Sequence, residues 1–178
     1  MPAPNGFPTF FVRVTAVHAV TYTIAGLIAS NLFDYEGLWQ TEAFANHRPF
    51  DSPWIALGPS LQVLRGVVFA TVLWPFREVL LDRPGGARRL WALLVGVGIL
   101  STYAASMGSI EGLLYTRTPL LTHLRGLPEV VAQAGAFSWA LVAWYRHPHR
   151  AWGVVFGVLF ALVLTTGVLG LLFGGGQA

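Results

Sequence analysis

The chain has 178 residues, of which 54% are hydrophobic and 11% charged, and its mean hydropathy is +0.59; a soluble domain of this size carries about a quarter charged residues, so an ordinary soluble fold is excluded. The net charge of +3 comes from eleven arginines and no lysine. They are scattered through short loops, which argues against a nucleic-acid surface. The absence of cysteine excludes disulfides, thiol catalysis and cysteine-ligated metal.

Five apolar stretches approach the roughly 20 residues needed to cross a bilayer. The expected fold class is therefore all-α: a polytopic integral membrane protein of the inner cell membrane, with five transmembrane helices in one domain over residues 1–178. Seven Trp and twelve Phe suit aromatic belts at the two interfaces.

The first span is expected over 9–32. No basic segment precedes it, and it contains Arg13 and His18, so it reads as a retained helix rather than a signal peptide. Thr15, His18, Tyr22, Ala25 or Gly26, and Ala29 share a face, and such a polar and small-residue stripe turns toward the bundle. His18 reads first as a packed, hydrogen-bonded histidine; with Tyr22 it is the candidate for a relay or second site. Arg13 is expected to pair with Glu78 near the inner interface.

The loop 33–52 is rich in aromatic residues. Leu38, Trp39, Ala43 and Phe44 suit one face of a short interfacial helix. The loop is read either as a plain surface loop or as a lid over an outward pocket.

The second span is expected over 53–81, with Ser52 and Pro53 at its start and kinks at Pro59 and Pro75. Arg65 lies near its centre, roughly 16 Å from either end at helical rise. An arginine there costs at least about 2.5–3.5 kcal/mol to insert, so partners or water must solvate it. Gln62 shares its face.

The third span is expected over 89–109. Tyr103 and the following Glu111, framed by Gly108 and Gly112, are read as lining the outer side, and His123 and Arg125 as belonging to a short re-entrant turn. The fourth span is expected over 128–145, opening at Pro128. Glu129 and Gln133 share one of its faces, which suggests an Arg65–Glu129 ion pair bridged by Gln62 and Gln133. The plainer reading is that this pair staples two helices together. The fifth span, 151–173, is almost wholly aliphatic. Gly153 and Gly157 have the spacing of a helix-packing pair, so this wall faces lipid, a partner membrane subunit or a second copy of the chain.

Arginine placement sets the orientation. Arg77, Arg83, Arg88 and Arg89 follow the second span, and Arg146 and Arg150 follow the fourth, whereas the first loop holds four acids against Arg48. The N-terminus is expected in the cytoplasm and the C-terminus outside.

No His-Glu-x-x-His, P-loop or dinucleotide fingerprint is present. A bis-histidine haem needs ligands at matched depth on facing helices, and His18 and His123 do not meet that condition, so no cofactor or metal is expected. Three functional readings follow. The first is an outward-facing polar pocket around Arg65 that binds or transports an anionic or amphiphilic small molecule; its lining is Gln62, Arg65, Tyr103, Glu111, His123, Arg125, Glu129 and Gln133. The second is an accessory or anchoring subunit of a larger membrane complex. The third is a membrane-embedded enzyme acting on a lipid or isoprenoid, with Glu111 and Glu129 as acid and base; no catalytic motif argues for it.

Overall fold

The computed structural model describes residues 6–102 and 104–173. Tyr103 and the tail 174–178, expected respectively in the pocket and outside the cell, lie beyond the described residues. No strand occurs among those residues, and the helices are α1 (Phe7–Leu32), α2 (Tyr35–Trp39), α3 (Pro53–Leu73), α4 (Gly86–Val95), α5 (Ile110–Tyr115), α6 (Leu120–Arg146) and α7 (Arg150–Phe173).

Three of them, α1, α3 and α7, are long and apolar enough to cross a membrane. Their outer faces carry exposed aliphatic side chains, among them Leu64, Val68, Leu162 and Leu172. Such continuous apolar surface suits hydrocarbon rather than water.

α1 forms the centre, packing against α3, α6 and α7, while α7 also packs on α3 and α4 on α6. Successive long helices run in alternating directions. Phe10 at the start of α1 meets Trp74 beyond the end of α3 and Tyr145 at the end of α6, and Gly26 near the end of α1 faces Glu129 near the start of α6. The small-residue stripe of α1 does face this bundle: Thr15, His18 and Ala29 are buried. Gly66 of α3 sits so close to Thr15 that a Cβ on it would fall 2.8 Å from the Thr15 Cα. Gly167 and Gly170 of α7 make the matching approach to Ser60 and Ala56 of α3, where the Ser60 hydroxyl donates to the Val163 carbonyl at 3.0 Å. Gly153 and Gly157, the pair singled out from spacing, make no such approach: a Cβ at Gly157 would meet nothing within 4 Å.

Three expected spans differ in extent. The second breaks at Pro75 instead of kinking, because proline has no N–H to return to the preceding turn. The chain then tightens through Phe76 N–H to Leu73 O and Arg77 N–H to Trp74 O, and closes with a π-helical turn at Glu78–Asp82. The third helix runs from Gly86 only to Leu100, ending in a π-helical turn at Gly96–Leu100 where Ser101 N–H reaches back to Gly96 O. Gly96 and Gly98 make that turn cheap to distort, and 101–102 and 104–109 are non-helical. The helix therefore rises only about 22 Å. The fourth helix starts at Leu120 rather than Pro128, absorbing the predicted turn and keeping Pro128 inside it. The missing bond is tolerable in a packed membrane-type helix.

The arginine-rich end is held by arginine donors on backbone carbonyls that these irregular turns leave open. Arg146 donates to the carbonyls of Leu81 and Arg83, and Arg89 to those of Val79, Arg83 and Pro84. Five donors per guanidinium suit this role, which lysine would fill less well. The expected Arg13–Glu78 pair is not made. Glu78 meets its neighbour Arg77 at 3.1 Å, and the Arg13 guanidinium lies over the Trp144 ring, 5.5 Å from its centroid.

Candidate functional site

α3 and α6 flank the polar stripe of α1, and at its inner level three rings meet. His18, 1% exposed, packs 4.8 Å from Phe69 of α3 and 5.8 Å from Phe137 of α6. Phe69 and Phe137 are themselves 5.8 Å apart. This aromatic triad closes the gap between the two flanking helices. Within it the His18 Nε2 lies 3.3 Å from Gln62 Oε1, while its buried Nδ1 has no hydrogen-bond partner among the described residues.

Arg65 and Tyr22 lie one helical turn toward the loop end from this floor. Arg65 projects from α3 as an exposed residue, with its guanidinium 5.6 Å from the Phe69 ring centroid. Tyr22 of α1 is within electrostatic reach of both Arg65 and Glu129, and His18 is within reach of Arg65. Gln62, Arg65, His18, Tyr22 and Glu129 are thus brought together by three helices.

The partnership inside that group is not the expected one. Among the described residues Arg65 has no carboxylate within ion-pair distance. The Glu129 carboxylate, set beside Gly26, accepts a hydrogen bond from the Tyr35 hydroxyl of α2. Burial, that bond and the Glu129 charge push the Tyr35 hydroxyl above its usual range. α2 is aimed there by Asp34, which takes a left-handed conformation at φ 48° and accepts from Gly37 N–H at 3.2 Å. Asp tolerates that conformation better than most side chains. The rest of the loop folds on Trp39, which stacks on Phe44 at 4.8 Å, meets Phe50 at 5.6 Å and donates its indole N–H to Arg48 O at 2.8 Å. The expected single short helix is split: Leu38 and Trp39 end α2, while Ala43 and Phe44 fall in a separate 3-10 turn at Glu42–Phe44.

Gln133 does not bridge to Arg65. With Glu129 it lines a groove of about 330 Å³ between α1 and α6, otherwise mostly apolar, with Ile24, Ile28 and Ala132 among its walls. His123 and Glu111 serve the turn between α4 and α6. His123, 3% exposed, accepts the Gly108 N–H at Nδ1 at 3.0 Å, and its Nε2 lies 3.5 Å from Thr116 Oγ1. Gly108 needs its glycine, having φ 86°, and a Cβ on Gly112 would collide with the Ser106 carbonyl. Glu111 stands in the first turn of α5, which Ser109 caps by accepting Gly112 N–H at 2.9 Å. Arg125 is exposed on α6 and lines the grooves between that helix and the α2 loop.

Sequence reading missed Tyr35 because a tyrosine in an aromatic loop looks like a belt residue, and nothing in its spacing aims it at α6. It also missed Gly167, Gly170 and Ser60, although their small size was a visible signal. No group of three or more His, Asp or Glu able to hold a metal occurs among the described residues. No protein-family model, curated protein or solved structure matches the chain.

Proposed function

We propose that the protein is a multi-pass protein of the inner membrane, crossing five times with the arginine-rich end in the cytoplasm, and that it binds or transports an anionic amphiphile at Arg65. The observation that carries this reading is Arg65 itself. It sits mid-way along an apolar helix without a carboxylate partner among the described residues, yet beside Gln62, Tyr22 and His18. A cation in that setting is expensive unless something solvates it, and an incoming anion does so while gaining from the low-dielectric wall. Glu129, occupied by Tyr35, leaves the arginine available. The apolar groove between α1 and α6 offers room for a hydrocarbon tail near Glu129.

The test uses the absence of native cysteine. A cysteine replacing Gln62 should react with a membrane-impermeant thiol reagent added from the loop side. Decyl phosphate should protect it, and a decyl ammonium of equal chain length should not. Labelling only after denaturation would mean a dry helix-packing site and would overturn the binding reading.

A further inference from the structure

The groove between α1 and α6 joins a long alkyl surface to one charged group. It holds about 330 Å³, and its lining on α1 runs from Thr21 to Phe33, about 18 Å at helical rise. Ile24, Ile28 and Leu32 form an exposed apolar flank, on the side of α1 that a bilayer would cover. The Thr21 hydroxyl is already given to the Val17 and His18 carbonyls within α1. Glu129 and Gln133 are therefore the polar groups that the groove has to offer, and Glu129 is its only ionisable lining residue.

Glu129 is the informative member. It is partly buried, and no cation lies within ion-pair distance of its carboxylate among the described residues. Oε2 accepts the Tyr35 O–H, which satisfies one oxygen without cancelling the charge. Oε1 has no hydrogen-bond donor among the described residues and stands beside Gly26, where a Cβ would lie 3.7 Å from it. Gln133 lies one turn further along the same face of α6, and its amide makes no hydrogen bond among the described residues. An open carboxylate oxygen, an amide oxygen one turn on, and then only alkyl surface fit a particular kind of ligand. Its head is positive and donates several hydrogen bonds, and its tail is a hydrocarbon chain. An ammonium supplies three donors, and its bonds to a carboxylate are roughly twice as strong as neutral ones. A phosphate or carboxylate head would meet Glu129 with like charge. A bare alkane would leave the carboxylate unpaired in a low-dielectric wall.

We infer that this groove is a binding site for an amphiphilic amine, with its ammonium held by Glu129 and Gln133 and its alkyl chain laid between α1 and α6. The site does not rest on the anion reading of Arg65, which is not among the groove's lining residues. The two readings share only the alkyl walls, so an anion's tail and the amine's chain would exclude each other there.

The experiment follows thermal unfolding of the full-length protein in nanodiscs of phosphatidylcholine at neutral pH. Decylammonium should raise the melting temperature saturably, and decanol, uncharged and of equal chain length, should raise it much less. Glu129→Gln keeps an acceptor for the Tyr35 hydroxyl but removes the charge, and should raise the half-maximal concentration about tenfold, the loss expected for one charge-assisted bond. Ala132 is exposed on α6, so Ala132→Phe fills the groove from its open side, keeps the carboxylate and should abolish the shift. Arg65→Gln should leave the response intact. Equal stabilisation by decanol, or an unchanged response in either Glu129→Gln or Ala132→Phe, would overturn the site. Loss of the response in Arg65→Gln would place the amine at α3 and overturn it equally. These outcomes are read without the Gln62→Cys protection assay, so failure of this site and failure of the Arg65 reading are seen separately.

Discussion

Arg65 and Glu129 looked like natural partners, because each is an ionisable group on an apolar helix with a glutamine on the same face. The structure gives Glu129 to Tyr35 instead, and this changes what mutagenesis should report. Tyr35→Phe and Glu129→Gln should be coupled by about 1 kcal/mol in a double-mutant cycle of thermal or denaturant unfolding, the scale of one partly buried hydrogen bond to a charge. Arg65→Gln and Glu129→Gln should add to within about 0.5 kcal/mol, as expected of sites without a shared contact. Strong Arg65–Glu129 coupling would mean that the two side chains meet after all. Tyr35 also carries a pH signature. Its hydroxyl is held above the ordinary tyrosine value by burial and by the neighbouring carboxylate. The folded state therefore keeps a proton that the unfolded chain releases above about pH 10. Its contribution to stability is present below that pH and declines as pH rises toward the folded-state value. Stability should fall more steeply on the alkaline side in the native protein than in Tyr35→Phe, a difference readable by unfolding at a series of alkaline pH values.

Single helices and their contacts show what was legible in the sequence. Long runs such as α1, α3 and α7 announce themselves by length and apolarity, which are local properties. The polar stripe of α1 was legible too, since a buried face must be small or satisfied. What escaped was the irregular backbone: the break at Pro75, the π-helical turns, and the early start of α6 at Leu120. The first of the π-helical turns depends on the Val79, Leu81, Arg83 and Pro84 carbonyls finding donors from Arg89 and Arg146, a tertiary matter. Glycine spacing was equally ambiguous, because Gly153-x-x-x-Gly157 fits the packing pattern while α7 in fact packs on α3 through Gly167 and Gly170. The contrast is testable. Gly167→Ala puts a methyl into Ser60 and should cost about 1–3 kcal/mol by forcing α7 away from α3. Gly157→Ala meets open space and should be neutral or stabilise by up to about 1 kcal/mol through helix propensity. Thermal unfolding in detergent ranks the two, and a cost at Gly157 with none at Gly167 would reverse the assignment of the packing face. The turn between α4 and α6 behaves as a unit around His123, so His123→Ala should free the Gly108 amide and speed limited proteolysis within 104–116 while leaving the helical core intact.

Charge divides the whole molecule between its two ends. Arg77, Arg83, Arg88, Arg89, Arg146 and Arg150 gather at one, against Glu78 and Asp82; Asp34, Glu36, Glu42, Asp51 and Glu111 gather at the other, against Arg48, Arg117 and Arg125. In the five-span arrangement proposed above, the positive-inside bias would act on the whole bundle at once and favour the first end facing the cytoplasm. The weak point in a five-span reading is α4, whose continuous helix through Leu100 rises only about 22 Å against a hydrocarbon core of about 30 Å. A fifth crossing needs the segment after Leu100 to cover the remaining distance, yet Ser101 and 104–107 are exposed and only its end is held, through Gly108 N–H on His123, whereas bare backbone cannot face lipid. Single cysteines in this cysteine-free chain can decide it. In intact cells a membrane-impermeant maleimide should label Asn46→Cys and Arg117→Cys directly, and Arg88→Cys only after permeabilisation. The opposite pattern at all three positions would invert the molecule. Labelling of Arg117→Cys only after permeabilisation, with Asn46→Cys still reactive from outside, would make α4 a re-entrant helix and reduce the number of crossings.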